Sequence, residues 1–274
     1  MKYNLNNKPF VCIQTQSTCY KETTKMEEIK GILWHSTGAN NFNLKRYIQP
    51  SDLKPNEDSY TKDKWLNILG KNQYKNDLNH AIRNYGLNAW IGKLANGAVT
   101  TVQTMPWDFR PWGCGKGLKG SCNDGWIQFE ICEDNLKNKD YFNKVYQEAC
   151  ELTAYLCKLY GIDPKGTIIH NGIKVPTILC HQDSFKLGLG SNHKDIYHWF
   201  SKYNKDMDSV RTDVAKLIKA SEVKKLYRVR KSKNDAKSQV GAFTSLSNAK
   251  TACNKAGSGY KVFDWNWTIV HTTK

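Results

Sequence analysis

The sequence predicts an α/β main domain, a central mixed sheet flanked by helices, followed by a small α+β module. Three observations carry this reading. Short apolar runs alternate with amphipathic stretches through the first 220 residues, the pattern of strands alternating with helices. The dipeptide Asn96-Gly97 between two strand-like runs is a hairpin signal, so at least one pair in the sheet is antiparallel. A composition shift at Ala220 to Lys225, charged and poor in apolar residues, sets off the last fifty or so residues.

Ile29 to Trp34 reads as a buried strand ending at His35, and Phe42 to Tyr47 as the start of a helix. Residues 50 to 60, with Pro50, Asp52, Pro55, Asn56 and Asp58, read as loop, and Trp65 to Leu69 as a short helix stopped by Gly70. Asn88 to Lys93 and Ala98 to Thr104 are the hairpin strands. Met105 to Cys122, with two Pro, two Trp and four Gly, is loop, and Trp126 to Cys132 is a strand. Asp140 to Tyr160 is an amphipathic helix with Val145, Ala149, Leu152, Leu156 and Leu159 on one face and Gly161 as its stop. Thr177 to Cys180 is a short strand delivering His181, and Asp208 to Ile218 a further helix.

The main domain is placed at 1–220 and the module at 224–274. The module reads as strand (Tyr227 to Arg230), strand (Gln239 to Phe243), helix capped by Ser245 or Ser247 and ended by Gly257, then a hairpin (Tyr260 to Phe263, Trp267 to His271). A unit this small is marginal alone, so it docks, pairs with itself as a dimer, or folds weakly.

Lys and Arg number 41 against 25 Asp and Glu in 274 residues, a formal charge of +16. Such a field favours an anionic partner: nucleic acid, anionic lipid or an anionic cell-wall polymer. No zinc-finger spacing, RNA-binding signature or heptad-bearing basic helix is present, and the lysines are spread along the chain, so a nucleic-acid reader is disfavoured. The nine cysteines, an odd count without a Cys-x-x-Cys pair, read as free buried thiols. Cys114 and Cys122, sharing a Gly-rich loop, are the one pair with a competing reading as a bridge or metal ligands. The first thirty residues show no long apolar run and no small-residue cleavage pattern, and no stretch reaches the length of a membrane span. The expectation is synthesis in the cytoplasm without a signal peptide.

Three segments carry the chemistry: Trp34-His35-Ser36-Thr37-Gly38, Cys180-His181-Gln182-Asp183 and Asn192-His193-Lys194-Asp195. Each offers an imidazole, a carboxylate or both. Two neutral imidazoles and one carboxylate with an open position form a catalytic zinc arrangement. A lone strand-end His is more often structural, and His181 and Asp195 are too far apart for one helical face, so only the fold can bring the three together. Hydrolysis also needs a base and an oxyanion donor. Glu130, amid apolar neighbours in Trp126 to Glu133, is the candidate base, because desolvation raises such a pKa. His193, two residues before Asp195, is the candidate donor. Trp107, Trp112 and Trp126 flank the expected cleft, where indole faces stack on sugars as readily as they pack a core. The glycines at 113, 115, 117 and 120 do not form a P-loop, since the Lys-Ser/Thr ending and the following helix are missing. His80, His170, His198 and His271 are read as packing or surface residues.

At these residues the chain resembles the zinc-dependent N-acetylmuramoyl-L-alanine amidases, the family of phage lysozyme-amidases and animal peptidoglycan-recognition proteins. The matching pieces are Ile32-Leu33-Trp34-His35-Ser36-Thr37, Trp90-Ile91-Gly92-Lys93 before Asn96-Gly97, Ile127-Gln128-Phe129-Glu130, and Cys180-His181 leading to Ser191-Asn192-His193-Lys194-Asp195. They cover roughly residues 28 to 200. The resemblance implies one zinc ion on His35, His181 and Asp195, Glu130 as catalytic glutamate and His193 as a further catalytic donor. Trp90, Trp107, Trp112 and Asn192 fall where substrate would be bound. It implies cleavage of the amide between N-acetylmuramic acid and L-alanine of bacterial peptidoglycan by a zinc-bound water, and, without a signal peptide, action on the wall after release, as for an endolysin or autolysin. Leu87-Asn88-Ala89 and Trp112-Gly113 stand where some relatives carry Tyr or His, which disfavours a tyrosine-based mechanism. The tail, with Tyr227-Arg228-Val229 and Gln239-Val240-Gly241-Ala242-Phe243 before Ser247-Asn248-Ala249, resembles half of a SPOR-type peptidoglycan-binding domain. A non-catalytic recognition protein is the competing reading. Relatives of that kind usually lack the last ligand, and Asp195 is present.

Overall fold

The computed structural model describes residues 1–52, 62–221 and 226–273. Its chain forms two compact units, Met1–Lys219 and Ala220–Lys274. The expected loop over residues 50 to 60 lies mostly outside the described residues.

The first unit runs β1 (Phe10–Val11), α1 (Thr18–Glu22), β2 (Gly31–Asn40), α2 (Lys62–Leu69), β3 (Ala89–Lys93), β4 (Val99–Gln103) and β5 (Trp126–Glu133). It continues α3 (Lys139–Tyr160), β6 (Thr167–His170), β7 (Ile173–Pro176), β8 (Ile178–Cys180), α4 (His181–Lys186), α5 (Tyr197–Phe200) and α6 (Met207–Ser221). Six strands form the main sheet in the order β1-β4-β3-β5-β2-β8, and β6-β7 stand apart as a ribbon. Only the β3–β4 pair is antiparallel. That pair is the expected hairpin, and Gly97 in its turn has φ +82°, a conformation that favours glycine.

The period of two in β2 and β5 sorts the side chains to two faces. Ile32, Trp34, Ile127, Phe129 and Ile131 pack one face against Phe142, Val145, Tyr146, Ala149 and Leu152 of α3, with Trp199 and Phe200 of α5 filling the gap. Each large apolar side chain buried there contributes about 1.5–3 kcal/mol. The helix begins at Asn138, whose side chain accepts from the Tyr141 N–H, and ends at Gly161 in the left-handed region. Leu159, expected on the buried stripe, is exposed. The opposite face of the sheet carries Leu33, His35, Trp126, Gln128, Glu130 and Cys132, and the long loop after β4 covers part of it.

Several elements differ from the sequence reading. β2 continues past His35 to Asn40, because Thr37 Oγ1 and Gly38 N bond to β5 and extend the pairing. The run from Phe42 yields one 3-10 turn, Leu44–Arg46, instead of a helix. β1, α1 and the β6–β7 ribbon were not expected. Two of them are too short to show a period, and the ribbon turns on Asn171-Gly172, both at positive φ. All nine cysteines are buried and free, including Cys114 and Cys122.

The second unit is a sheet in the order β10-β9-β11-β12: β9 (Tyr227–Arg230), β10 (Gly241–Phe243), β11 (Lys261–Phe263) and β12 (Ile269–Thr272), all neighbours antiparallel. One helix, α7 (Leu246–Ala256), is capped by Ser245 and packs Ala249 and Cys253 on Val229 and Val262.

The chain's N-terminus is tied to α3 through Glu148. Its buried carboxylate accepts from Tyr3 and from Thr101 Oγ1 at 2.8 Å, and pairs with Lys2 at 2.6 Å. Replacing Glu148 with Ala leaves two buried hydroxyls unpaired. It is expected to cost about 2–4 kcal/mol, read as a lower urea midpoint at unchanged slope.

Candidate metal centre and cleft

Strand register sets the site. His35, Glu130 and Trp90 are direct neighbours across β2, β5 and β3. Trp34 pairs with Cys180 of β8, so His181, the next residue, arrives beside His35. His181 is the first residue of α4 and not the last of a strand. Asp195 is brought in by its own backbone, whose carbonyl accepts from Gln182 N at 3.0 Å. The cluster thus sits at the carboxyl ends of parallel strands, where α/β sheets place their ligand sites.

His35 Nδ1 lies 3.0 Å from Asp195 Oδ2, and His181 Nδ1 lies 3.1 Å from His35 Nδ1 and 3.4 Å from Asp195 Oδ1. The ligand atoms of the three residues all lie within 4.8 Å of one another. All three residues are buried.

The tautomers follow from the surrounding bonds. Asn123 Oδ1 accepts from the Gly113 and Cys114 amides, so it is the oxygen. Gln128 Nε2 donates to that oxygen at 2.8 Å, which turns Gln128 Oε1 toward His35 Nε2, also at 2.8 Å. An acceptor there holds the His35 proton on Nε2 and leaves Nδ1 as a lone pair. Ser191 Oγ donates to the Cys114 carbonyl and accepts from His181 Nε2, both at 3.1 Å, so His181 Nδ1 is likewise a lone pair. Two imidazole lone pairs and a carboxylate aimed at one point are mutually repulsive without a cation, and this donor set fits a divalent metal. Burial pushes the His181 pKa down, which favours the neutral ligand form.

A cleft of about 620 Å³ opens over the cluster. Glu130 and His193 line it with the three cluster residues. The Glu130 carboxyl is pushed well above the usual range by desolvation first, then by the charges of Asp195 and Glu133. Among the described residues nothing hydrogen-bonds its carboxylate. His193 is exposed at the rim, with Nδ1 3.1 Å from Ser191 Oγ. Trp112 also lines the cleft. Trp90 reaches it only as an edge: its ring is 2% exposed and stacked on Tyr47 at 4.6 Å. Two expected binding residues lie elsewhere. Trp107, within the turn closed by Phe109 N to the Pro106 carbonyl, packs against the α3 core, and Asn192 is exposed and does not line the cleft, while its neighbours Ser191 and His193 do. Trp126, expected to flank the cleft, is fully buried beneath the loop.

Sequence reading missed Gln128, Asn123 and Ser191, which orient the imidazoles, and Tyr47, Tyr85 and Arg110, which line the cleft. Gln128 stands two residues before Glu130 on β5, and that strand spacing was the available signal; Ser191 lies in the loop between α4 and α5, where no period applies. Nothing in the sequence points to Asn123.

The fold and the cluster define an α/β protein with a two-imidazole, one-carboxylate centre in an open cleft. A family profile described as N-acetylmuramoyl-L-alanine amidase (Amidase_2) matches residues 25–195, and the chain belongs to that family. Members typically bind zinc. None of the curated protein sequences matches the chain. Similar solved structures include the Staphylococcus aureus hydrolase AmiA with its ligand, 18% identical with a TM-score of 0.48, over 74% of this chain and 82% of that one. PlyL is 15% identical with a TM-score of 0.40, over 72% and 91%. A mutant endolysin from Bacillus subtilis is 15% identical with a TM-score of 0.42, over 75% and 97%.

Gly113 has no room for a side chain: an added Cβ would sit 2.2 Å from Gln128 Oε1 and 3.0 Å from His35 Nε2. Gly113→Ala is therefore expected to break the Gln128–His35 bond and weaken divalent-metal affinity about 10–100-fold. Competition with a chromogenic chelator measures this, and unchanged affinity would show that Gln128 does not orient the ligand.

Proposed function

We propose that the chain is a peptidoglycan hydrolase of the endolysin or autolysin type. It cleaves the amide between the lactyl group of N-acetylmuramic acid and L-alanine, with one zinc ion held by His35, His181 and Asp195. The observation that carries this reading is the pairing of a tautomer-locked His-His-Asp cluster with an unbonded carboxylate, Glu130, across one cleft.

A divalent ion at this cluster supplies Lewis-acid polarisation and acidifies a water. The remaining work belongs to the chain. Glu130 takes the proton of the attacking water and returns it to the departing alanine nitrogen, a role its raised pKa suits. His193 donates its Nδ1 proton to Ser191, whose own proton goes to the Cys114 carbonyl, and in its imidazolium form it keeps the Nε2 proton for the carbonyl oxygen as charge develops there. Trp112 and Tyr85 give the sugar flat walls, and the Asn123–Gln128 pair keeps His35 from turning. The second unit acts as a SPOR-like wall-binding module that holds the enzyme on its insoluble substrate. Among the described residues no helix is long and apolar enough to cross a membrane.

Glu130→Gln is expected to lower turnover about 10²–10⁴-fold while the metal stays bound. Single-turnover kinetics with metal analysis check this, and retained activity would remove Glu130 from the mechanism. The base must be deprotonated to act, so the rate falls as pH drops through the Glu130 pKa. Because that pKa is raised, the acid limb of kcat/KM is expected above the ordinary carboxylate range. A limb at the usual position would contradict the assignment. Removing residues 224 to 274 is expected to weaken wall binding and leave hydrolysis of soluble muropeptides. Loss of both with the first unit still folded would refute a separate binding module.

A further inference from the structure

The second unit carries an unusual charge arrangement. Residues 226–273 contain eight Lys and Arg against two Asp and no Glu. Both acids are occupied by local backbone: Asp235 accepts from Ser238 N, and Asp264 accepts from Asn266 N and Thr268 N. Among the described residues no carboxylate pairs with any of the eight cations.

Three of these cations share one face. Val229 and Val262 are direct neighbours and point into the α7 core. By the period of two, Arg228, Arg230, Lys261 and Phe263 therefore lie on the face away from α7. Lys261 is paired with Arg230, and Phe263 with Arg228. Trp267 lies across this face. Its ring centroid is 5.2 Å from the Arg228 guanidinium, 4.8 Å from that of Arg230 and 6.1 Å from the Phe263 ring. The indole thus holds two like charges side by side, one residue pair or about 7 Å apart along the strand. Arg230 Nε bonds Gln239 Oε1 at 2.8 Å, and both guanidiniums spend one further nitrogen on a backbone carbonyl. Nitrogens remain on each for a ligand.

We infer that this face of the second unit binds a phosphodiester-bearing wall polymer, with Arg228 and Arg230 on successive phosphates, Lys261 beside them and Trp267 as their brace. Phosphate fits better than neutral glycan, because fixed guanidinium forks with no carboxylate partner are recognition groups for phosphate oxygens. The inference deepens the wall-binding reading above and rests on it for the choice of a wall polymer.

The test uses the full chain and two preparations of one Gram-positive wall: intact, and stripped of phosphodiester polymer by hydrofluoric acid. Intact walls are expected to bind the chain at least about tenfold more tightly than stripped walls, in a salt-dependent way. Arg228→Gln with Arg230→Gln is expected to remove that difference. Lys250→Gln with Lys255→Gln, the same charge loss on α7, is expected to keep it. Arg228→Lys with Arg230→Lys keeps the charge and is expected to recover part of the binding, which separates recognition from misfolding. Circular dichroism of each variant is read alongside. Equal binding to intact and stripped walls would overturn the inference in favour of glycan recognition. Equal losses for the two Gln pairs would reduce it to general charge. Duplex DNA bound as tightly as intact wall, and lost with the Arg pair, would replace the wall polymer by nucleic acid. Release of alanine amines from a soluble muropeptide by the unaltered chain, measured in parallel, keeps failure of the amidase reading distinct.

Discussion

The centre depends on one relay of hydrogen bonds that begins in the backbone. The Gly113 and Cys114 amides fix Asn123, Asn123 fixes the Gln128 amide, and Gln128 fixes the His35 proton on Nε2. Without that relay the His35 ring has no reason to present a lone pair on Nδ1, and the three donors would not face one point. A second and shorter relay, from the Cys114 carbonyl through Ser191, does the same for His181. Both relays meet at Cys114, so one loop residue sets the protonation of two imidazoles through its N–H and its C=O.

The sheet supplies the other half of the arrangement. Its apolar face is covered by α3, α5 and α6, which leaves the second face free to carry polar residues. On that face, side-by-side strands put His35 next to Glu130 at adjacent register positions. A slip of one residue between β2 and β5 would send one of the two into the α3 core. The long loop after β4 then closes over Trp126 and Leu33 and brings Gly113 against Gln128 with no space to spare. The cleft wall, the orientation of His35 and core closure therefore fall on the same stretch of backbone.

Much of this was legible from sequence because it has a local cause. The hairpin at Asn96-Gly97, the α3 stop at Gly161 and the amphipathic spacing of that helix are short-range signals, and each appears where its residues demand. His35, Glu130 and His181 stood out because their chemistry is costly in or beside apolar runs, whereas His193 and Asp195, in a polar stretch after a Gly-rich turn, stood out only as part of the three-segment pattern. What stayed hidden is tertiary. Trp107 was expected in the cleft, yet indoles pack cores as readily as they bind sugars, and this one packs against the α3 core. Asn192 was one residue out of phase with Ser191 and His193. Asn123 acts through a contact across the loop that no spacing encodes.

The proposed reaction cuts an amide and not a glycosidic bond, with the required metal held by the His-His-Asp cluster. The most direct measurement is release of free N-terminal alanine from purified Gram-positive peptidoglycan, with chelator and with zinc added back, beside an assay for reducing sugar ends. New alanine amines, no new reducing ends, loss of activity on chelation and its return with zinc are the expected result. New reducing ends, or alanine release indifferent to chelation, would contradict it.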